Sequence, residues 1–520
     1  MSQMLKSSGA MAAATMTSRV LGMVREMVYA AFMGNTWVAS AFTLAFQVPN
    51  LFRRLLGEGA LTAAFIPIFK QKEKVAGEKE MWRVANAVLS GLVVAAGAIT
   101  VLAIVGISIA LMVGANTLKP DTRLMLELLR FMFPYMLLVC VAAVLIGMAN
   151  ARGHFFVPAL GAVMLNVVMI ASVLWLAPRM GANLEHQIFG LAIGVIVAGV
   201  VQAVFQMPSL RCEGFRFAWE SPWRDPTVRE VVKKMIPGSI GVAAFQINVL
   251  VTQSFSFWFD ETIVSTFNYA VRLMELPQGI FGISLATFLL PTLSGLAAEK
   301  KFPEFKLTLK QGLSYLAFAN LIAAAVSLGL AEPIVRLLFE RRAFTPEATQ
   351  RVALALQCLA PGLLMFSMNN ILARAFYALN DIKTPMKISI VCLVLNLGFA
   401  LWLVQTYREA GLGVANTLSA IINTALLFYA LRKKMSELQM DGLVREIAIL
   451  AMAAALAGGA AFWLYRVWDG HFGHATMAVK LGAVFVPGAV AGGVYWLITV
   501  LLKIPSATDV ATLVARKLRK

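Results

Sequence analysis

The sequence predicts an all-α polytopic membrane protein with about 14 transmembrane helices, arranged as two six-helix lobes plus two C-terminal helices. Three observations carry that reading. Of the 520 residues, 59% are hydrophobic and only 14% are charged, which excludes an ordinary soluble domain. The apolar residues fall in runs long enough to cross a bilayer as helices, which takes about 20 residues each. The charges gather in the gaps between runs, and they do so unequally on the two sides.

The hydrophobic segments are approximately 10–33, 37–69, 84–114, 124–151, 156–178, 187–209, 231–258, 264–297, 307–330, 349–378, 385–406, 411–432, 444–467 and 476–502. With the N-terminus cytoplasmic, the inside loops hold roughly 28 basic residues and the outside loops roughly 10. The weakest vote comes from the outside loop Glu332–Arg342, which carries three arginines of its own. An even number of spans then places both termini inside. Residues 1–32 are apolar but contain Arg19 and Arg25, so they read as a retained span and not as a cleaved signal.

Organisation follows from a short internal repeat. Gly59-Ala60-Leu61-Thr62-Ala63-Ala64-Phe65-Ile66-Pro67 aligns without gaps to Ile283-Ser284-Leu285-Ala286-Thr287-Phe288-Leu289-Leu290-Pro291, at an offset of 224 residues. Six spans per half give the halves one orientation, as in parallel-repeat transporters. The expected divisions are an N-terminal lobe at 1–210, an inter-lobe cytoplasmic loop at 211–230 and a C-terminal lobe at 231–434. Residues 435–520 hold the two extra spans and a basic tail, Arg516 through Lys520. The inter-lobe loop reads as a carrier of amphipathic sequence on the membrane surface.

Charged residues inside the spans are the functional signal, because an arginine at a helix centre costs roughly 2.5–3.5 kcal/mol on insertion scales. Span 2 carries Arg53 and Arg54, with Asn50 one turn before and Glu58 one turn after. They pair with Glu58 or snorkel to an interface, or else look into a polar cavity, toward partners or an anionic ligand. Span 1 carries Arg19 and Arg25, six residues and so about 120° apart on a regular helix. They converge only if the helix bends, and Gly22 between them is the place; otherwise Arg25 pairs with Glu26. Span 8 carries Arg272 and Glu275 at i,i+3, an internal pair or a second cationic site. Cations from the two lobes are expected to face each other where transporters bind substrate.

Absences narrow the field. There is no GxxxxGK[ST] loop, no HExxH and no Ser/His/Asp arrangement, so neither an ATP motor nor a hydrolase is indicated. The four scattered cysteines form neither a disulfide framework nor a metal site. A net charge of +18 here reports cytoplasmic loops, since no basic tract interleaved with aromatics marks a nucleic-acid module.

Four stretches resemble the MurJ (MviN) lipid II flippase family of the multidrug/oligosaccharidyl-lipid/polysaccharide exporter superfamily. They are Ser18-Arg19-Val20-Leu21-Gly22 with Arg25, Pro49-Asn50-Leu51-Phe52-Arg53-Arg54 with Glu58-Gly59-Ala60, Arg272-Leu273-Met274-Glu275-Leu276-Pro277, and Ala373-Arg374-Ala375-Phe376-Tyr377-Ala378 with Asp381, Lys383, Thr384 and Pro385. The resemblance runs from about residue 5 to 503. It implies a V-shaped fold with a central cationic cavity, and a transporter, not an enzyme. Lipid II would pass by alternating access from the inner to the outer leaflet of the bacterial cytoplasmic membrane, for peptidoglycan synthesis. By motif, the substrate-binding residues are Arg19, Arg25, Arg53, Arg54 and Arg272, supported by Asn50, Glu58 and Glu275. The expected partners are lipid II, the bilayer and the cell-wall synthesis machinery, with no nucleic acid. No cofactor or metal is expected, and the drive is the membrane potential or an ion gradient. In the family the last two spans form a groove for the undecaprenyl tail. The chain departs from many relatives at Ser40 and Val271, where they carry acids. Two related readings stay open: a flippase for another polyprenyl-diphosphate oligosaccharide, and a drug or cation antiporter, although cationic drugs would call for acids in the cavity.

Overall fold

A computed structural model describes residues 2–58, 60–223, 225–435 and 442–518, and no strand occurs among them. Contacts divide the chain into two units, Met1–Phe257 and Trp258–Lys520. Unit 1 begins with α1 (Ser2–Met33) and α2 (Trp37–Phe52), then passes through a π-helical turn, Arg53–Glu58, into α3 (Ala60–Val113). It continues with α4 (Pro120–Met132), α5 (Tyr135–Ala151), α6 (Phe156–Ala171), a second π-turn at Ser172–Leu176, α7 (Leu184–Cys212) and α8 (Pro226–Phe259). The contact division thus leaves most of α8 with unit 1, whereas the sequence division groups it with the second lobe.

Unit 2 holds α9 (Ile263–Pro277), a π-turn at Gln278–Ile283, α10 (Ser284–Ala298), α11 (Phe302–Gly329) and the short α12 (Ala331–Leu338). Then come α13 (Pro346–Leu359), α14 (Leu363–Ala378), α15 (Lys383–Lys434), α16 (Leu443–Phe472), α17 (Met477–Leu501) and α18 (Pro505–Leu518).

Each of the fourteen hydrophobic segments falls on helix, but not one helix to one segment. α3 joins the end of the second segment to the third across Gly77, whose φ of 82° breaks the helix. α15 joins the eleventh and twelfth across Arg408, at φ 49°. The fourth is split into α4 and α5, bent by 42° at a junction that contains Pro134. Among the described residues nine helices are long and apolar enough to cross a membrane, or ten if the bent pair is one span.

Capping threonines start several helices where the loops require it. Thr36 accepts from the Ala39 amide at 3.2 Å, Thr345 from Ala348 at 3.2 Å and Thr476 from Val479 at 3.3 Å. In unit 1, α2 packs on α4 and α5 through an aromatic run, Phe42 stacked on Phe46 and Phe46 against Tyr135, with centroids 6.2 and 5.7 Å apart.

The short sequence repeat is the trace of a longer structural one. The π-turns start 225 residues apart, at Arg53 and Gln278, and Pro67 and Pro291 follow them at matched places in α3 and α10. The first turn packs on α5, the second on α14. Left-handed residues also recur in step: Gly77 with Lys300, Gly153 with Asn380, and Gly181 with Arg408.

The hairpin α16–α17 lies against α11 and is fastened at both ends. At one end Arg336 bonds Glu332 at 2.6 Å and the Tyr465 hydroxyl at 3.0 Å, while Lys480 reaches Glu340 at 3.3 Å. At the other, buried Glu446 accepts from Ser314 of α11 and, at 3.1 Å, from Ser506 of α18.

Candidate functional site

Arg25 is held on several sides. α1 runs unbroken through Gly22, so Arg19 and Arg25 stay on different faces of the helix. The Arg25 side chain is 15% exposed; Nη1 donates to Asn166 Oδ1 at 3.1 Å and Nη2 to Glu26 Oε1 at 2.5 Å. Its guanidinium also lies 5.5 Å from the centre of the Tyr29 ring. Asn166, on α6, is itself fixed by donating to the Ser18 and Ala162 carbonyls at 3.1 Å each. Nε of Arg25 is buried and makes no hydrogen bond. Arg19 is half-buried and makes no side-chain hydrogen bond or ion pair among the described residues.

Arg53 and Arg54 open the first π-turn. A π-turn adds one residue to a helix, displaces the regular carbonyl–amide pairing and is frequent at functional sites. Here the Phe52 carbonyl accepts from the Cys140 thiol at 4.0 Å. Arg53 Nε donates to Asn50 Oδ1 at 2.7 Å, which orients one guanidinium, while Arg54 is exposed. The side chain of Glu58 lies outside the described residues. Gln47, one turn before Asn50, keeps a buried Oε1 without a hydrogen bond.

In unit 2, Arg272 Nη1 donates to Glu275 Oε2 at 2.8 Å, with the side chains 37% and 50% exposed. The pair therefore forms as its i,i+3 spacing predicts, at the end of α9, one turn ahead of the π-turn Gln278–Ile283. There the backbone packs tightly: a Cβ on Gly282 would stand 2.6 Å from Ser367 Oγ, so only glycine fits. Ser40 is fully buried in α2, and Val271 is half-buried.

Sequence reasoning missed Asn166 as a group that holds Arg25, whereas the pairing with Glu26 is the alternative it left open, and it forms. The signal for Asn166 is a lone amide in the apolar run 156–178. The motif Ala373 to Pro385 also does structural work. Asp381 accepts from the Thr384 amide at 3.0 Å and from Lys434 Nζ at 2.6 Å, and Lys434 first, then Thr384, holds its carboxyl down to about 2.

The fold is shared with solved transporters of the MOP superfamily. An inward-facing multidrug resistance MATE family transporter of that superfamily matches with a TM-score of 0.69, over 83% of this chain and 99% of that one, at 14% identity. A lipid II flippase MurJ in an inward closed conformation matches with a TM-score of 0.77, over 94% and 99%, at 19% identity. In sequence, the family described as lipid II flippase MurJ matches residues 29–482. The probable lipid II flippase MurJ of Vibrio cholerae serotype O1 is 33% identical over 473 residues, 89% of each chain. The lipid II flippase MurJ of Burkholderia cenocepacia is 33% identical over 459 residues, 86% of this chain and 88% of that one. The chain belongs to the lipid II flippase MurJ family.

Proposed function

We propose that this protein is a lipid II flippase that carries the lipid-linked peptidoglycan precursor from the inner to the outer leaflet of the cytoplasmic membrane by alternating access. The observation that carries the reading, beside family membership, is guanidinium placed inside apolar helices: Arg25, which Asn166 and Glu26 hold, and Arg53, which Asn50 orients. Lipid II cannot cross hydrocarbon alone, because its diphosphate and glycopeptide would have to shed water. Arginines replace that hydration with charge-assisted, often bidentate, hydrogen bonds. The substrate-binding set is Arg19, Arg25, Arg53, Arg54 and Arg272, with Asn50, Glu58 and Glu275 in support. A cationic set also rejects cationic drugs, so the antiporter reading is not favoured.

The protein makes fourteen crossings in this reading, with lobes at 1–210 and 231–434, the loop 211–230 between them and 435–520 appended, and both termini are cytoplasmic. Two ion networks support that topology, since each joins only loops assigned to one side. Arg152 meets Glu73, Glu78 and Glu213 from loops read as inside. Arg351 meets Asp260 and Glu409 at ends read as outside. The undecaprenyl tail lies in the apolar groove of unit 2 between α11 and α16, lined by Leu321, Leu328, Ala454 and Phe462. No cofactor is required. Outward movement of negative charge from a negative interior gains roughly 2.3 kcal/mol per charge per 100 mV, and an ion gradient is the other available drive. Cell-wall synthases are the expected protein partners.

Binding of purified protein to lipid II tests the reading, with wild type, Arg53→Ala and Arg272→Ala side by side and a neutral polyprenol as control. The expected result is wild-type binding that both variants lose, with no polyprenol binding. Equal binding by all three proteins would make the arginines structural and remove the basis for the proposal.

A further inference from the structure

Residues 214–223 lead from α7 toward α8 without helix, yet this segment is held firmly along the start of the membrane-spanning part of α3. The Phe215 ring is buried with its centroid 5.4 Å from that of Trp82. Asn86 Nδ2 donates to the Arg216 carbonyl at 3.0 Å, and the Glu220 amide donates to Ser90 Oγ at 3.3 Å. Pro222 sits over Gly91, 3.1 Å from where a Cβ would be, and Asp225 pairs with Arg83 at 2.9 Å. From Trp82 to Gly91 the segment follows α3 for about 13 Å, at about 1.5 Å per residue. α3 begins its apolar run at about residue 84, so the segment lies level with the entrance to the hydrocarbon.

The side chains that point away from α3 are the wrong ones for water. Phe217 is 50% exposed, Trp219 59% and Trp223 68%. The other exposed tryptophans, Trp175, Trp258, Trp402 and Trp463, all stand toward the ends of helices read as outside. On the inner side, among the described residues, the exposed tryptophans are these two alone. Tryptophan is enriched at both membrane–water interfaces, where one edge of the ring is apolar and the other hydrogen-bonds. Near them in the chain, Arg211, Arg216 and Lys233 are exposed and make no ion pair among the described residues. The nearby acids are mostly engaged: Glu213 with Arg152 and His154, Asp225 with Arg83, and Glu230 with Lys234.

We propose that residues 214–223 are a lipid-docking strap: Phe217, Trp219 and Trp223 seat at the headgroup–acyl boundary of the inner leaflet, and Arg211, Arg216 and Lys233 bind anionic phospholipid headgroups. The choice of leaflet rests on the cytoplasmic assignment of this loop; the docking does not. The strap is stiff, so it loses little freedom on meeting lipid, and it ties the start of α8 to the height of α3 in the bilayer.

The test uses the full chain in nanodiscs that contain phosphatidylglycerol and phosphatidylcholine. Subtracting the fluorescence of a Trp219→Phe/Trp223→Phe variant from wild type isolates the strap. Lipids brominated near the glycerol end of the acyl chain are expected to quench that difference signal, and aqueous iodide to leave it nearly unchanged. Arg216→Gln should weaken the preference for phosphatidylglycerol over phosphatidylcholine about fivefold, the equivalent of about 1 kcal/mol per surface cation. Full iodide access without quenching by brominated lipid would overturn the proposal. Quenching that develops only when lipid II is added would overturn it as well, because the occupant would then be the substrate. Monodisperse elution and unchanged lipid II binding by the phenylalanine variant serve as the folding check.

Discussion

The two units share a backbone plan and spend it on different chemistry. Each runs helix, π-turn, helix, with the second helix carrying a proline at a matched place. In unit 1 the π-turn Arg53–Glu58 begins with Arg53 and Arg54, and a largely buried Arg25 stands on α1, ahead of the helix that leads into it. In unit 2 the matching turn begins Gln278-Gly279, and the cation nearby, Arg272, is half-exposed beside its own Glu275. Duplication thus preserved where the helix is irregular, while the charge collected on one side of the pair. The left-handed positions show the same divergence in miniature. Unit 1 fills them with Gly77, Gly153 and Gly181, and unit 2 with Lys300, Asn380 and Arg408.

The largest difference is expected from the two arginines themselves. Arg25→Ala removes the cation shared by buried Glu26 and Asn166 and should cost about 3–5 kcal/mol in denaturant unfolding in detergent. Arg272→Ala removes a solvent-screened pair and should cost below about 1 kcal/mol. Equal losses would mean that the units are not chemically distinct. Next comes Asn166→Leu, which removes the neutral acceptor from Arg25 and should cost about 1.5–3 kcal/mol. It should also weaken lipid II binding, although Asn166 itself is not among the residues assigned to the substrate. Third, Gly153→Ala forces a Cβ into left-handed backbone and should lower stability by about 1–2 kcal/mol. Asn380→Gly, its counterpart, should be neutral or raise the melting temperature slightly. A loss from both would show that these two turns are not equivalent.

The smallest effect is one of pH. The Asp381 carboxyl is held at about 2, below its ordinary 3.8, by Lys434 and then Thr384. A depressed folded value means that the contribution is fully present above about 4 and disappears as pH falls toward about 2. Wild type should therefore lose stability across that interval relative to Asp381→Asn, by no more than about 1 kcal/mol for so accessible a pair. A melting-temperature difference that stays flat from pH 5 to pH 2 would remove the clamp.

Much of this was legible in the chain because hydrocarbon is a strict solvent. It forces backbone pairing within each segment, so run length alone locates helix. It also makes an intramembrane arginine conspicuous, and Arg25, Arg53 and Arg272 stand out for that reason. What run length cannot register is local winding. A π-turn differs from regular helix by one residue, so Arg53–Glu58 and Gln278–Ile283 have no compositional mark. Only the nine-residue repeat beside them hinted that this stretch is special. Nor does spacing report partners distant in the chain: Asn166 meets Arg25 across 141 positions, and the sequence offers only an amide in an apolar run.

The α16–α17 hairpin has a mechanical consequence. It is stitched to α11, α12 and α18 at both rims, through Arg336 and Lys480 at one and Glu446 at the other. A load applied along the membrane normal is therefore shared by two anchor points, and the hairpin can neither slide nor pivot about one end. It travels as cargo bolted to unit 2. Whatever displacement unit 2 undergoes, the surrounding lipid must make way for the added bulk, and unit 1 carries no such outrigger.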